Sequence, residues 1–325
     1  MFISPGVYIK ETIDMSKLKT AVIGVGYLGK FHAQKYAALP NSELVAVVDA
    51  NADTAKEIGD QHGVKALTDY HELLGTVDAV SIAAPTTLHH QIARDFLEHN
   101  CHVLIEKPIT VTVDEADDLI ELALANELII QVGHLERFNA ALMNLGDTLK
   151  SPTFIESHRL APFNPRATDV NVVLDLMIHD IDIILNIVKS DIKDMRVSGT
   201  PVLTPSTDIA NARIEFENGC VANVTASRVS AKTERKMRIF QHDAYISVDF
   251  HNRVLNVYKK GEKEMLPGIP EIVSEESTYE NNDALNLEII AFMDSIQNGT
   301  PVIVSGEDGR RALDAAIRIS SLLKD

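Results

Sequence analysis

From Thr20 to about His134, short apolar runs alternate with stretches of helical period. Ala21–Gly24, Leu44–Val48, Val77–Ala83, Cys101–Ile105 and Leu128–Val132 are near-continuously apolar, as parallel strands covered on both faces are. Tyr27–Ala38, His90–His99 and Asp114–Ala125 lie between them as helices. That alternation predicts an α/β domain over 15–134 with a doubly wound parallel sheet. After residue 150 the rhythm changes. Thr153–Leu160, Arg196–Val202, Ala210–Phe216, Val221–Arg228, Met237–Gln241, Ala244–Phe250 and Val254–Lys259 are strand-like, and Glu217-Asn218-Gly219 signals a hairpin. A second, α+β domain with a mostly antiparallel sheet is expected over 135–325. One long apolar helix, Asn171–Val188, interrupts it, and Gly261–Asn282, with two prolines and many Glu, reads as a loop. Two helices close the chain, Asp283–Gln297 and Glu307–Leu323, the latter opened by Ser305-Gly-Glu-Asp308 in capping-box spacing. The last helix, about 306–323, is expected to pack back on the first domain. Residues 1–14 read as an extension ahead of a self-sufficient start at Met15.

Composition narrows the function classes. A length of 325 residues suits two domains, and 45% apolar with 24% charged residues is ordinary for a globular chain. The net charge of −17 disfavours a general affinity for nucleic acid or anionic membrane. An anionic substrate would therefore need a local basic pocket. Cys101 and Cys220 are far apart, so neither a disulfide scaffold nor a zinc site is indicated. No apolar run reaches the ~18 residues of a membrane span. The first residues lack the basic start and apolar core of a secretory signal, so a cytoplasmic location is expected.

The sharpest chemical signal is Gly24-Val-Gly26-Tyr27-Leu28-Gly29, directly between the first strand and the first helix. The first glycine permits a tight turn, the second lets backbone approach a pyrophosphate, and the third brings helix and strand together. Asp49 ends the second strand twenty residues after Gly29, where a carboxylate accepts hydrogen bonds from ribose hydroxyls and repels a 2′-phosphate. No Arg or Lys stands in Ala50-Asn51-Ala52-Asp53 to hold such a phosphate, so the expected cofactor is NAD. Ligands on such sheets lie beyond the strands' carboxyl ends, which makes Ala84-Pro85-Thr86, Glu106-Lys107-Pro108 and His134 further candidates.

Lys107 ends the Cys101 strand beside the expected nicotinamide, and the proline after it stops the strand and favours a cis bond. In Asp175-Leu-Met-Ile-His179-Asp-Ile-Asp182 the titratable residues share one stripe of an otherwise apolar helix, so Asp175 and His179 can be hydrogen-bonding neighbours. A histidine oriented by a carboxylate suits proton transfer near neutrality. A satisfied core histidine is the plain alternative, and a metal at Asp-x₃-His lacks a third ligand of suitable spacing. Together these groups suit oxidation of a secondary alcohol: NAD takes the hydride, a base takes the hydroxyl proton, and a lysine ammonium stabilises the developing charge.

At these residues, from Met15 to the end, the chain resembles the glucose–fructose oxidoreductase / inositol dehydrogenase / MocA family, through Gly24-x-Gly26-x-x-Gly29, Asp49, Pro85-x₃-His89, Glu106-Lys107-Pro108 and Asp175-x₃-His179-x₂-Asp182. The resemblance implies a Rossmann domain and an open-faced antiparallel sheet through which subunits pair as homodimers or homotetramers. It implies Lys107, Asp175 and His179 as the catalytic set. It also implies a cofactor site built from Gly24, Gly26, Tyr27, Leu28, Gly29, Asp49, Ala84, Pro85, Thr86, His89, Glu106 and Lys107. Many members carry glycine where this chain has Met177. Gly133-His134-Leu-Glu-Arg137-Phe-Asn139 and Arg159-Leu-Ala-Pro-Phe-Asn-Pro-Arg166 are similar to the nucleotide-sugar branch, whose members oxidise C3 of UDP-N-acetylglucosamine. Arg137, Asn139, Arg159, Arg166 and Asp182 are then the substrate-binding candidates, with the Arg228–Arg238 segment as further cations for a diphosphate. Oxidation of a free polyol or sugar, an NAD-dependent glycosidase and a non-catalytic NAD-binding regulator stand as alternatives.

Overall fold

The apolar runs of the first third form six parallel strands: β1 (Leu18–Ile23), β2 (Ser42–Val48), β3 (Lys65–Leu67), β4 (Ala79–Ile82), β5 (His102–Glu106) and β6 (Ile130–Gly133). In the computed structural model, which describes residues 17–164, 171–280 and 283–323, they lie in the order β3-β2-β1-β4-β5-β6. Helices α1 (Gly29–Ala38), α2 (Ala52–His62), α3 (His89–Glu98) and α4 (Val113–Ala125) cover the sheet. Burial on both faces explains why Ala21, Val22, Val80, Val103 and Leu104 are apolar without alternation. β3 has only three residues, two of them exposed, at the sheet edge, so no apolar run announces it. The strand order reverses between β1 and β4, which opens the crevice where such sheets bind ligands.

The second sheet has eight strands: β7 (Pro152–Leu160), β8 (Ile192–Thr200), β9 (Ile209–Phe216), β10 (Val221–Ser227), β11 (Glu234–Gln241), β12 (Ala244–Asp249), β13 (Val254–Leu266) and β14 (Ile269–Thr278). Their order is β14-β13-β12-β11-β7-β10-β9-β8, antiparallel throughout except for β7 beside β10. The short α5 (Ala140–Met143) leads into this sheet, and α6 (Ile178–Val188) lies on its inner face. Ile155, Ala212, Val224, Ile239 and Ile246 alternate inward to meet Ile178, Ile181 and Ile184 in one core. On the other face Phe154, Phe240, Tyr245 and Tyr258 stack across neighbouring strands at 4.9–5.8 Å between ring centroids.

The loop expected over 261–282 is instead largely the β13–β14 hairpin. Pro267-Gly268, with Gly268 at φ +77°, forms its turn. Pro270 sits near the start of the outermost strand, where a missing N–H costs no ladder bond. The Glu residues are the charge that keeps an exposed edge from pairing further. The expected apolar helix over 171–188 also starts differently, with a π-helical turn at Val173–Met177.

α7 (Ala284–Asn298) returns to the first sheet, where Ile289, Phe292 and Met293 pack in one core with Val22, Val25, Tyr36 and Leu104. α8 (Gly306–Leu322) begins with the capping box of Ser305 and Asp308. It lies between the two sheets' cores: Leu313 packs with Val132, and Ala312, Ala316 and Ile319 pack with the α6 side. Among the described residues no helix is long and apolar enough to cross a membrane.

Candidate active site

At the end of β1 the chain turns at Gly24 (φ +84°), whose N–H donates to Val48 O at 2.7 Å. α1 then starts so close to this turn that a Cβ on Gly29 would stand 1.8 Å from Gly24 O. Gly26 is different: nothing lies within 4 Å of where its Cβ would be, so the turn leaves open space there. The Asp49 carboxylate accepts the Val25 N–H at 3.0 Å and the Asn51 N–H at 2.9 Å, fixing it beside the turn. Tyr27 and Leu28 are exposed at the mouth of this cradle. A glycine turn, an open space for a pyrophosphate and a held carboxylate for the ribose together fit NAD.

After β4, Ala84 packs against Gly24, and Pro85 and Thr86 line a cavity with Lys107. His89 is different, being 1% exposed with its two ring nitrogens on the carbonyls of Ala84 (2.8 Å) and Pro108 (3.0 Å). It clamps two strand-end loops together. The Lys107–Pro108 peptide is cis.

Beneath Lys107 lies a buried polar chain. Tyr36 and His32 meet at the Ser81 hydroxyl, and His32 Nε2 lies 3.1 Å from Glu106, which also accepts the Lys107 N–H. Burial pushes the Glu106 carboxyl up, but the His32 bond and the His32 and Lys107 charges hold it below the usual carboxylate range. Lys107 itself is pulled below the ordinary lysine value by burial, against the opposing pull of Asp175 and Glu106. Its Nζ donates to the Asp175 main-chain carbonyl at 2.9 Å, tying β5 to the π-helical turn.

His179 follows on the first turn of α6, where burial and the nearby Lys107 and Arg159 cations lower its pKa well below the histidine value. The imidazole is therefore neutral at pH 7 and able to accept a proton. Its Nδ1 has no hydrogen-bond partner, so the carboxylate–imidazole bond that the Asp175/His179 spacing allowed is not made at that nitrogen. The His134 ring stands edge-on to it, 6.4 Å between centroids, with both nitrogens buried and unbonded.

Two cavities flank this cluster. One of about 490 Å³ is lined by Pro85, Thr86, Lys107, Pro108, Leu174 and Asp175. The other, of about 250 Å³, is lined by Glu136, Asn139, Arg159, Leu176, His179, Arg235, Phe250 and Arg253. Among the described residues no three of His, Cys, Asp and Glu gather as metal ligands would.

The expected substrate residues separate on inspection. Arg137 and Asp182 are each other's partner, a buried bidentate pair at 2.6 and 2.9 Å, and Arg137 borders a different cavity beside Leu142 and Met143. That pair holds the 135–138 turn to α6, and neither residue lines the His179 cavity. Arg159 does line the His179 cavity, but its guanidinium is taken by Asp180 (2.6 Å) and Glu136 (2.8 Å). Burial pulls the Arg159 pKa down, and those two carboxylates outweigh it and raise it. Asn139 also lines the cavity, donating to Phe250 O at 3.0 Å. Arg166 lies outside the described residues. Phe250, Arg253 and Glu288 carried no motif. Only Glu288, a lone acid on the apolar stripe of α7, left a readable trace.

Residues 18–134 match the family described as an oxidoreductase family with an NAD-binding Rossmann fold, and residues 149–247 match the GFO/IDH/MocA C-terminal domain. The chain is 42% identical over 306 residues to UDP-N-acetylglucosamine 3-dehydrogenase of Acidithiobacillus ferrooxidans, covering 94% of this chain and 97% of that one. A solved structure of that enzyme superposes with a TM-score of 0.88 over 95% of this chain and 98% of that one, at 40% identity. Scyllo-inositol dehydrogenase from Lactobacillus casei, solved with NAD(H) and scyllo-inositol, shares the fold at 22% identity and a TM-score of 0.78, over 95% of this chain and 97% of its own. With both sheets, the glycine turn and the Lys107/His179 cluster in place, the chain belongs to the Gfo/Idh/MocA family of NAD-dependent oxidoreductases.

Proposed function

We propose that this enzyme oxidises the C3 hydroxyl of a UDP-N-acetylhexosamine, UDP-N-acetylglucosamine foremost, to the 3-keto sugar. The observation that carries the substrate is the likeness to a UDP-N-acetylglucosamine 3-dehydrogenase at 42% identity along nearly the whole of both chains. The geometry supplies the chemistry. NAD⁺, which the Gly24–Gly29 turn and Asp49 would hold, would supply the acceptor for the hydride of the carbinol carbon. His179, neutral in its buried setting, takes the hydroxyl proton as the C–O bond becomes a carbonyl. Lys107, held by the Asp175 carbonyl, presents its ammonium to the oxygen and stabilises the charge that develops there. Asp175 orients that lysine, and Asn139 and Arg159 shape the sugar's side of the cavity.

The reading extends to assembly and place. The aromatic stack on the outer face of the second sheet supports pairing of subunits through that face as a homo-oligomer. The two buried free thiols, Cys101 and Cys220, suit a reducing cytoplasm. The test is NADH formation followed by absorbance with UDP-N-acetylglucosamine, its galacto epimer, myo-inositol and free N-acetylglucosamine. NADH with the UDP sugars and none with inositol is the expected result. NADH with inositol alone would overturn the substrate, and release of free sugar without net NADH would point to glycoside cleavage.

A further inference from the structure

The turn between β12 and β13 brings Phe250 and Arg253 into the His179 cavity. Arg253 adopts φ +57°, a left-handed backbone that a non-glycine residue holds only at a cost. Its Nε is buried without a hydrogen-bond partner, and among the described residues no carboxylate lies within ion-pair distance of its guanidinium. The other two arginines of the cavity are compensated. Arg159 is held by Asp180 and Glu136, and Arg235 shares Glu136 at 3.4 Å. In a protein of net charge −17, the positive charge at Arg253 is therefore left over, and it faces the cavity that also holds the proton acceptor. A cation with no carboxylate partner and one N–H shut from water without a bond gains from an anionic ligand, and a planar guanidinium best matches two oxygens of a phosphate.

We propose that Arg253, with Arg235 beside it, is the subsite for the diphosphate of a nucleotide-linked sugar, and that it lets this cavity choose such a sugar over a free one. The proposal rests on the substrate reading above. It adds that the anchoring cation comes from the β12–β13 turn and not from Arg137, whose charge is consumed by Asp182. Arg253 is a binding residue that touches substrate away from the reacting carbon, so its loss acts on affinity before turnover.

The test is calorimetric titration of the NADH-loaded full chain with UDP and with uridine, on the wild type, Arg253→Gln and Arg253→Lys. Expected is a wild type that binds UDP at least tenfold more tightly than uridine. Arg253→Gln should lose most of that difference while its uridine and NADH affinities stay unchanged, and Arg253→Lys should recover part of it. In turnover, Arg253→Gln should raise KM for UDP-N-acetylglucosamine tenfold or more with kcat within about threefold. UDP binding by Arg253→Gln within twofold of wild type would overturn the subsite and leave the substrate reading intact. A wild type that binds neither UDP nor UDP-N-acetylglucosamine would overturn both. If Arg253→Gln does not fold, Arg253→Lys decides: a UDP affinity and a KM both within twofold of wild type would exclude an anchoring guanidinium.

Discussion

In the proposed mechanism a neutral imidazole, an ammonium and the carbonyl that holds it carry the chemistry, and burial lowers the pKa of both His179 and Lys107. Replacing His179 by Ala is expected to lower kcat by about 10²-fold or more, the scale of general-base catalysis, while an NADH titration stays unchanged. Because burial and the Lys107 and Arg159 charges disfavour its cation, the acid limb of kcat/KM should fall below the ordinary histidine value of about 6.5. A limb at or above that value would assign the proton to another group. Glu288 gives the opposite sign. Fully buried with neither oxygen bonded and Glu106 nearby, its carboxyl is raised well above the usual range, so the folded protein holds a proton that the unfolded chain releases above about pH 4.3. Stability is therefore lost as pH rises from there towards the folded-state pKa. Glu288→Gln should melt progressively higher than wild type between pH 5 and pH 8 by calorimetry, and a constant difference would refute the buried proton. Lys107 and His179 were legible in the sequence because motif spacing marks them. Arg253 was not, since only a left-handed turn between two strands brings it to the cavity.

The elements were read best where burial is simplest. Strands covered on both faces show as apolar runs, and β1, β2, β4, β5 and β6 fall close to where those runs lie. The inner half of β13 was read as Val254–Lys259, but its outer half and β14 were missed because they face solvent and carry charge, and Pro267-Gly268 marks a hairpin turn as readily as a loop. The glycine turn offers a separation of roles that spacing cannot show. Gly29→Ala would drive a Cβ into the Gly24 carbonyl, so poor folding or a melting temperature lowered by several degrees is expected. Gly26→Ala meets nothing within 4 Å, so its melting temperature should hold while NAD affinity drops about tenfold or more. Equal losses in both properties at Gly26 would contradict an open phosphate cradle.

At the scale of the whole molecule, the two sheets face different tasks. The first is enclosed by helices, whereas the second has α6 on one face and a row of half-buried rings on the other. Tyr245→Glu, at the centre of that row, is expected to give a smaller species by light scattering than the wild type at equal concentration. An unchanged mass would remove the outer face as the assembly surface.

The return of α7 to the first sheet has a consequence for how the chain is made. Val22, Val25 and Tyr36 leave the ribosome about 250 residues before Ile289, Phe292 and Met293, which complete their core. With synthesis at roughly 5–20 residues per second, the NAD-binding half waits on the order of ten seconds or more with an apolar face uncovered. Until α7 emerges, that face of the nascent first domain is apolar surface of the kind that chaperones bind.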